Sequence, residues 1–232
     1  MQFPASIQKG RLLQRYKRFL ADIDLGGEEI TAHCANPGSM MDVKDEGAVV
    51  WVSAATNPKR KLKYDWQVIE VGTARVCINT GTANHIVSEA IDAGRIPELA
   101  GYETLRREVK YGQNSRIDIL LESPDRLACY VEVKNVTLSR TSGLAEFPDS
   151  PTARGTKHLH ELADMARQGH RAVMFYCVNR TDCTAFDLAR DIDPDYAQSF
   201  TTAREAGLEI LAYSCDITED GIVLDKPLKI VA

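Results

Sequence analysis

Residues 172–178, AVMFYCV, run for the length of a strand with no charged or amide side chain. A half-buried strand alternates apolar and polar residues, so an unbroken apolar run of this length reads as a strand buried on both faces. Such a strand needs cover above and below. The flanking segments supply it: ANHIVSEAIDAG (83–94) places Ile86, Val87, Ala90 and Ile91 at helical spacing before Gly94, a residue suited to end a helix. Ser150-Pro151 opens a second helix to about Gln168, with Leu159, Leu162, Ala163 and Ala166 as its apolar stripe and Gly169 closing it. Residues 195–206 read as a third helix, and 208–214 as a strand. Strands are also expected at roughly 106–112, 116–122 and 127–136, giving the order α-β-β-β-α-β-α-β, a mixed sheet flanked by helices.

The first third has a different texture. ADIDL (21–25) and EITAHC (29–34) alternate around Gly26-Gly27, so residues 11–35 read as one long hairpin. Strands at 48–55, 60–71 and 75–80, separated by Asn57-Pro58 and similar turns, complete a small barrel. The boundary between the two parts falls near residue 78, giving a barrel over 1–78 and the mixed α/β (α+β) domain over 79–232. No repeat or low-complexity linker separates them.

A carboxylate stands where the apolar pattern forbids one. Asp118 lies in SRIDILLES (115–123) between Ile117 and Ile119, and an unpaired buried carboxylate either destabilises the fold by several kcal/mol, about what is expected for a buried charge, or takes up a proton. The next strand carries YVEVKNV (130–136), where alternation puts Glu132 and Lys134 on one face and Val131 and Val133 on the other. Antiparallel pairing around the short SPDRL turn brings Asp118 opposite Glu132–Lys134, with Cα atoms about 5 Å apart. Two hard oxygen donors suit Mg2+ or Mn2+, which keep several waters and bind through one or two carboxylates plus a phosphate. A lysine on the same face can position a water and stabilise charge on phosphorus. Asp118 and Glu132 are therefore the candidate metal ligands, Lys134 the candidate catalytic lysine and Glu89, on the preceding helix, the candidate third acid, with Asp92 its competitor. A solvated surface glutamate is the competing reading of Glu89.

The chain carries 28 Lys and Arg against 33 Asp and Glu, net −5, so a site for a polyanion must be a local patch. KGRLLQRYKR (9–18) and KRKLK (59–63) are such patches, with Arg11, Arg15, Lys17, Arg18, Lys59, Arg60, Lys61 and Lys63 available to a phosphate backbone and Tyr16 or Trp66 for stacking. A basic edge strand that resists aggregation has the same composition. Arg154, Lys157 and His158 crowd the first turns of the second helix, where free N–H groups favour phosphate. The six cysteines show no C-x-x-C spacing and read as reduced core residues. No signal peptide or apolar run of membrane-spanning length is present, so a cytoplasmic protein with no membrane contact is expected.

The order Asp118–x13–Glu132–x–Lys134 between two helices is that of the PD-(D/E)xK nuclease fold. LLQRYKRFLADI (12–23), HCANPGSM (33–40), RIDILL with YVEVKNVTL (116–121, 130–138), FPDSPTARGTKHLHEL (147–162) and GLEILAY (207–213) together resemble the sugar fermentation stimulation protein A family of bacteria and archaea. The resemblance implies an N-terminal OB-fold-like barrel followed by a PD-(D/E)xK nuclease-like domain. It also implies DNA binding without sequence preference and a link to regulation of sugar (maltose) metabolism. Carried over by position, the nuclease acids fall on Asp118 and Glu132, the lysine on Lys134 and the helix acid on Glu89, with Ile117 where the motif name has proline. Two functions compete: a DNA-binding phosphodiesterase using Mg2+ (or Mn2+), and a non-catalytic DNA-binding regulator on the same scaffold. DNA is the expected partner, with RNA not distinguished by the residues.

Overall fold

The computed structural model describes residues 1–112 and 115–232. The barrel is built from β1 (Ile7–Tyr16), β2 (Leu20–Asp24), β3 (Glu29–Cys34), β4 (Val49–Ala54), β5 (Tyr64–Val71) and β6 (Ala74–Cys77). Neighbours pair antiparallel, and a parallel pairing of β3 with β5 closes β1-β2-β3-β5-β4 into a ring, with β6 added beside β5. Closure removes free strand edges. The interior is filled by Leu12, Ile23, Ala32, Val50, Val52, Trp66, Ile69 and Val76 among others. Gly10 is required by the close approach of β2: a Cβ there would stand 2.6 Å from the Asp24 carbonyl oxygen.

Three expectations change here. Residues 11–35 form two hairpins sharing β2, because the chain already turns at Lys17 and Arg18, whose φ values are 46° and 63°. Residues 60–63 lie in the β4–β5 loop outside β5, held there by Arg60 on Asp65 and Lys63 Nζ on the Pro58 carbonyl. Trp66 is fully buried and donates from Nε1 to the Val68 carbonyl, so it offers no surface for stacking.

The second domain continues with helix α1 (Ala83–Asp92), then β7 (Thr104–Tyr111), β8 (Ser115–Ser123) and β9 (Arg126–Val136). A short pair, β10 (Leu138–Thr141) and β11 (Leu144–Phe147), precedes helix α2 (Ala153–Arg167). Then follow β12 (Arg171–Val178), β13 (Ala185–Leu188), helix α3 (Pro194–Glu205), β14 (Glu209–Ile217), β15 (Ile222–Pro227) and β16 (Lys229–Ile230). The main sheet has the order β15-β14-β12-β9-β8-β7, with β12 parallel to both its neighbours. Along β12, Val173, Phe175 and Cys177 pack in the core with α1, while Met174, Tyr176 and Val178 pack with α2 and α3. The apolar run is therefore central and covered on both faces.

A second sheet, β10-β11-β13-β16, was not expected; its four-residue and two-residue strands are too short for periodicity to register. Helix α2 starts later than Ser150-Pro151 implies. Thr152 is its cap, accepting from the Gly155 N–H, and its own N–H goes to Asp193, the cap of α3. All six cysteines are free and buried, and among the described residues no helix is long and apolar enough to cross a membrane.

The two parts are tied together. Cys77 donates to the Asn179 carbonyl, Thr181 to that of Arg75, and Val76 bridges Arg180. The loop after β3 reaches across: Ser39 Oγ donates to the Asp149 carbonyl at 2.8 Å and the Met40 N–H to the Asp149 carboxylate at 3.2 Å.

Candidate metal and phosphodiester site

β8 and β9 pair antiparallel from Ser123 opposite Arg126, through one register shift, to Ile119 opposite Val131, where the pairing stops. At that point Asp118 replaces a ladder bond with its side chain: Oδ2 accepts the Val133 N–H at 2.8 Å and Oδ1 accepts from Asn84 Nδ2, on α1, at 2.7 Å. The alternation slips at the same place, since Ile117 packs with α2 and Ile119 with α1. The mid-strand carboxylate thus sits in a notch between strands.

Glu132 faces α2 and is only 2% exposed. Its Oε1 accepts from Lys134 Nζ at 2.8 Å and is contacted by His158 Nδ1. Arg154 Nε donates to His158 Nε2 at 3.4 Å, which places the imidazole proton on Nδ1, toward Glu132. Both donors converge on one oxygen. The other, Oε2, is buried without a partner. Nearby, the Tyr111 hydroxyl and both carboxylate oxygens of Glu161 also lack hydrogen bonds, although Lys157 Nζ stands 3.6 Å from Glu161 Oε1.

The electrostatics separate the two acids. Burial, and then the charge of Glu132, push Asp118 up to about 6, against the bonds from Val133 and Asn84 and the charge of Lys134. Burial also raises Glu132, but the bond from His158 and the charge of Lys134 outweigh it and hold that carboxyl below its usual value. Tyr111 is raised by burial and then by the charges of Glu132, Glu161 and Asp118. A buried carboxylate oxygen with no donor, beside a second carboxyl that resists ionising, is suited to receive a cation. Among the described residues no group of three or more His, Cys, Asp or Glu side chains is arranged to hold a metal. The donor set is two carboxylates, which fits a small hard cation that retains water.

The sequence-derived candidates are placed unevenly. Asp118, Glu132, Lys134, His158 and Arg154 come together. Glu89 does not: it is half exposed, paired with the Met1 amino group at 2.5 Å and with His85. Asn84, at the first turn of the same helix, is the residue that meets Asp118. Asp92 is exposed at the helix end. In the barrel, Arg15 Nη2 donates to the carbonyls of Arg18, Asn36 and Gly38, Arg18 to Pro37, and Arg11 to Gly47. These guanidinium groups shape loops. Arg60 is clamped on Asp65, whereas Lys17, Lys59 and Lys61 are exposed. Tyr16 is engaged through its hydroxyl with Asp22. The sequence reading overlooked Asn84, Tyr111 and Glu161, although Glu161 sits one turn from His158 on a helix face whose apolar residues point inward.

A closed barrel joined to a sheet that parts over two carboxylates and a lysine defines a class, an OB barrel followed by a mixed sheet flanked by helices. The chain belongs to the sugar fermentation stimulation protein family. Residues 13–78 match the SfsA N-terminal OB domain and residues 81–221 the sugar fermentation stimulation protein RE domain. It is 49% identical over 231 residues to the sugar fermentation stimulation protein homolog of Maricaulis maris, covering 99% of this chain and 98% of that one. With the homolog of Rhodospirillum rubrum it shares 53% identity over 244 residues, covering both chains completely. The structure of Pyrococcus furiosus SfsA in complex with Ca2+ matches at TM-score 0.90 and 25% identity, covering 100% of this chain and 98% of that one.

Proposed function

We propose that this protein is a phosphodiesterase that cleaves DNA without sequence preference and depends on Mg2+ or Mn2+. The observation that carries the reading is the partnerless Oε2 of Glu132 beside Asp118 and Lys134. Asp118 and Glu132 would hold the ion, and the complex of the Pyrococcus relative with Ca2+, another oxygen-seeking cation, supports a divalent ion for this fold. When bound, such an ion supplies positive charge to phosphate oxygens and lowers the pKa of water. Lys134, now donating to Glu132, is placed to orient the attacking water and to stabilise charge developing on phosphorus. His158 holds Glu132 in the rotamer that leaves Oε2 free. Arg154 and Lys157, on the first turns of α2, are positioned to receive the phosphate backbone.

The loss of Glu89 from the site favours one other reading, a non-catalytic DNA-binding regulator that keeps the nuclease scaffold. A role in sugar metabolism, in the sense of the family's name, would follow from DNA binding under either reading. Calorimetric titration with Mg2+, combined with a cleavage assay on single- and double-stranded DNA, separates them. Uptake at one site with cleavage that stops in EDTA supports the phosphodiesterase. Salt-dependent DNA binding with neither uptake nor cleavage assigns the protein to the regulator class.

The raised Asp118 pKa sets the pH dependence. Below about pH 6 the ion must displace a proton from Asp118, so affinity should rise about tenfold per pH unit up to that point and level off above pH 7. A flat profile between pH 5 and 7.5 would remove Asp118 from the ligand set.

A further inference from the structure

The hairpin tip between β1 and β2 presents a feature that cleavage chemistry does not use. Phe19 is 44% exposed, and its ring lies nearly parallel to that of His33, with centroids 6.4 Å apart and planes at 12°. The Arg18 guanidinium stands 5.9 Å from the Phe19 centroid. His33 is braced from behind, because the parallel register of β3 and β5 puts Asp65 opposite it, 3.3 Å from Nδ1. Asp65 in turn accepts both guanidinium bonds of Arg60, at 2.8 Å each. The hairpin tip and the β4–β5 loop are therefore one connected surface.

Lys17, two residues before Phe19, is exposed, and so are Lys59 and Lys61, which flank Arg60 in the β4–β5 loop. Lys17 and Arg18 both occupy the left-handed region, which closes the tight turn of the hairpin, and the Phe19 carbonyl accepts the Cys34 N–H of β3. A lone exposed aromatic needs no explanation. One stacked on a braced histidine, with exposed lysines on the two loops that this brace connects, matches what a nucleobase and its phosphate require.

We propose that this surface binds single-stranded nucleic acid by stacking an unpaired base on Phe19, with Lys17, Lys59 and Lys61 on the flanking phosphates. In a duplex the base faces are covered by their neighbours, so an aromatic platform of this kind selects unpaired bases. Arg18 and Arg15 hold the carbonyls of Asn36, Pro37 and Gly38, and the same loop docks on Asp149, three residues before the cap of α2. The loop thereby joins the hairpin tip to the start of α2, a path toward Arg154. That path rests on the phosphodiesterase reading, whereas the binding itself stands on the barrel alone.

The test measures fluorescence anisotropy of labelled oligo(dT) of about 20 nucleotides and of a duplex of equal length, in EDTA so that cleavage plays no part. Phe19→Ala should weaken oligo(dT) binding roughly 5- to 150-fold with the salt slope retained, and leave duplex binding within about twofold. Phe19→Trp should restore it. The triple change Lys17→Ala, Lys59→Ala, Lys61→Ala should reduce the salt slope by about 2. Melting curves matching wild type confirm that the exposed substitutions leave the fold intact. Phe19→Ala binding oligo(dT) as wild type does, or losing duplex equally, would overturn the proposal. Absence of nuclease activity would leave it standing, since no arm of the test reads cleavage.

Discussion

Asp118→Asn is expected to lower Mg2+-dependent DNA cleavage on the order of a thousandfold, the scale set by removing a ligand from a charge-stabilising centre, while making the metal-free protein more stable. The carboxyl titrates near pH 6 in the fold against 3.8 for the free group. The folded form therefore holds its proton more tightly than the unfolded chain. The burden of ionising Asp118 is absent below about pH 4, grows between pH 4 and 6, and is complete above pH 6. At pH 7 in EDTA its removal is worth up to about 3 kcal/mol, or several degrees in Tm for a chain of this length. Asparagine can still accept the Val133 N–H, and the Asn84 amide can turn over to meet it. DNA affinity without metal should be unchanged or higher, because a charge that repels phosphate is gone. Scanning calorimetry in EDTA and a cleavage time course measure the two effects. A wild-type cleavage rate would remove Asp118 from the site; an unchanged Tm would mean that the carboxyl is not penalised.

Arg180→Ala should be the most destabilising single change at the junction of the two domains. Arg180 is 2% exposed and donates to Asp42, Asp182 and the Thr137 carbonyl. Asp42 belongs to the loop after β3, and Thr137 follows β9, so one guanidinium fixes the barrel against β9. Asp42 also accepts the Ser139 N–H. Truncation takes the guanidinium from two carboxylates and a carbonyl, and Asp42 keeps only the Ser139 N–H, a loss of about 3–5 kcal/mol, which corresponds to a drop of roughly 6–20 °C. Asp182 adds a pH signature. Its bond to Arg180 holds its carboxyl below the usual value, so this stabilisation is present above about pH 4 and fades as pH falls further. The variant should lack that acid-dependent loss. A Tm within about 3 °C of wild type would show that the junction is held by its backbone bonds instead.

The candidate set of Asp118, Glu132 and Lys134 could be picked out in the chain because strand alternation is local. Glu132 and Lys134 share a face wherever the strand lies, and a carboxylate inside RIDILL demands compensation in any fold that buries it. The run 172–178 required cover on both faces for the same reason. Glu89 was different. Helical spacing tells which residues of α1 face inward as a group, but not which turn lies over Asp118; docking placed Asn84 there and sent Glu89 to the chain's amino end.

The basic segments show the same division. Their composition announces affinity for anions, yet Arg11, Arg15 and Arg18 are held on backbone carbonyls of loops adjoining them in the fold, and Trp66, a candidate for stacking, fills the barrel interior while Phe19 remains outside. By itself the sequence determined the helices, the longer strands, the barrel followed by a mixed sheet and the pairing of acid with lysine, since these follow from periods of two and 3.6 residues and from turn chemistry, whereas the short strands of the second sheet left no period to read. Only the tertiary structure decided which cations are free, which aromatic is exposed and which oxygen of Glu132 lacks a partner. Those depend on where a side chain's neighbours lie after distant segments have packed, and no local period records that.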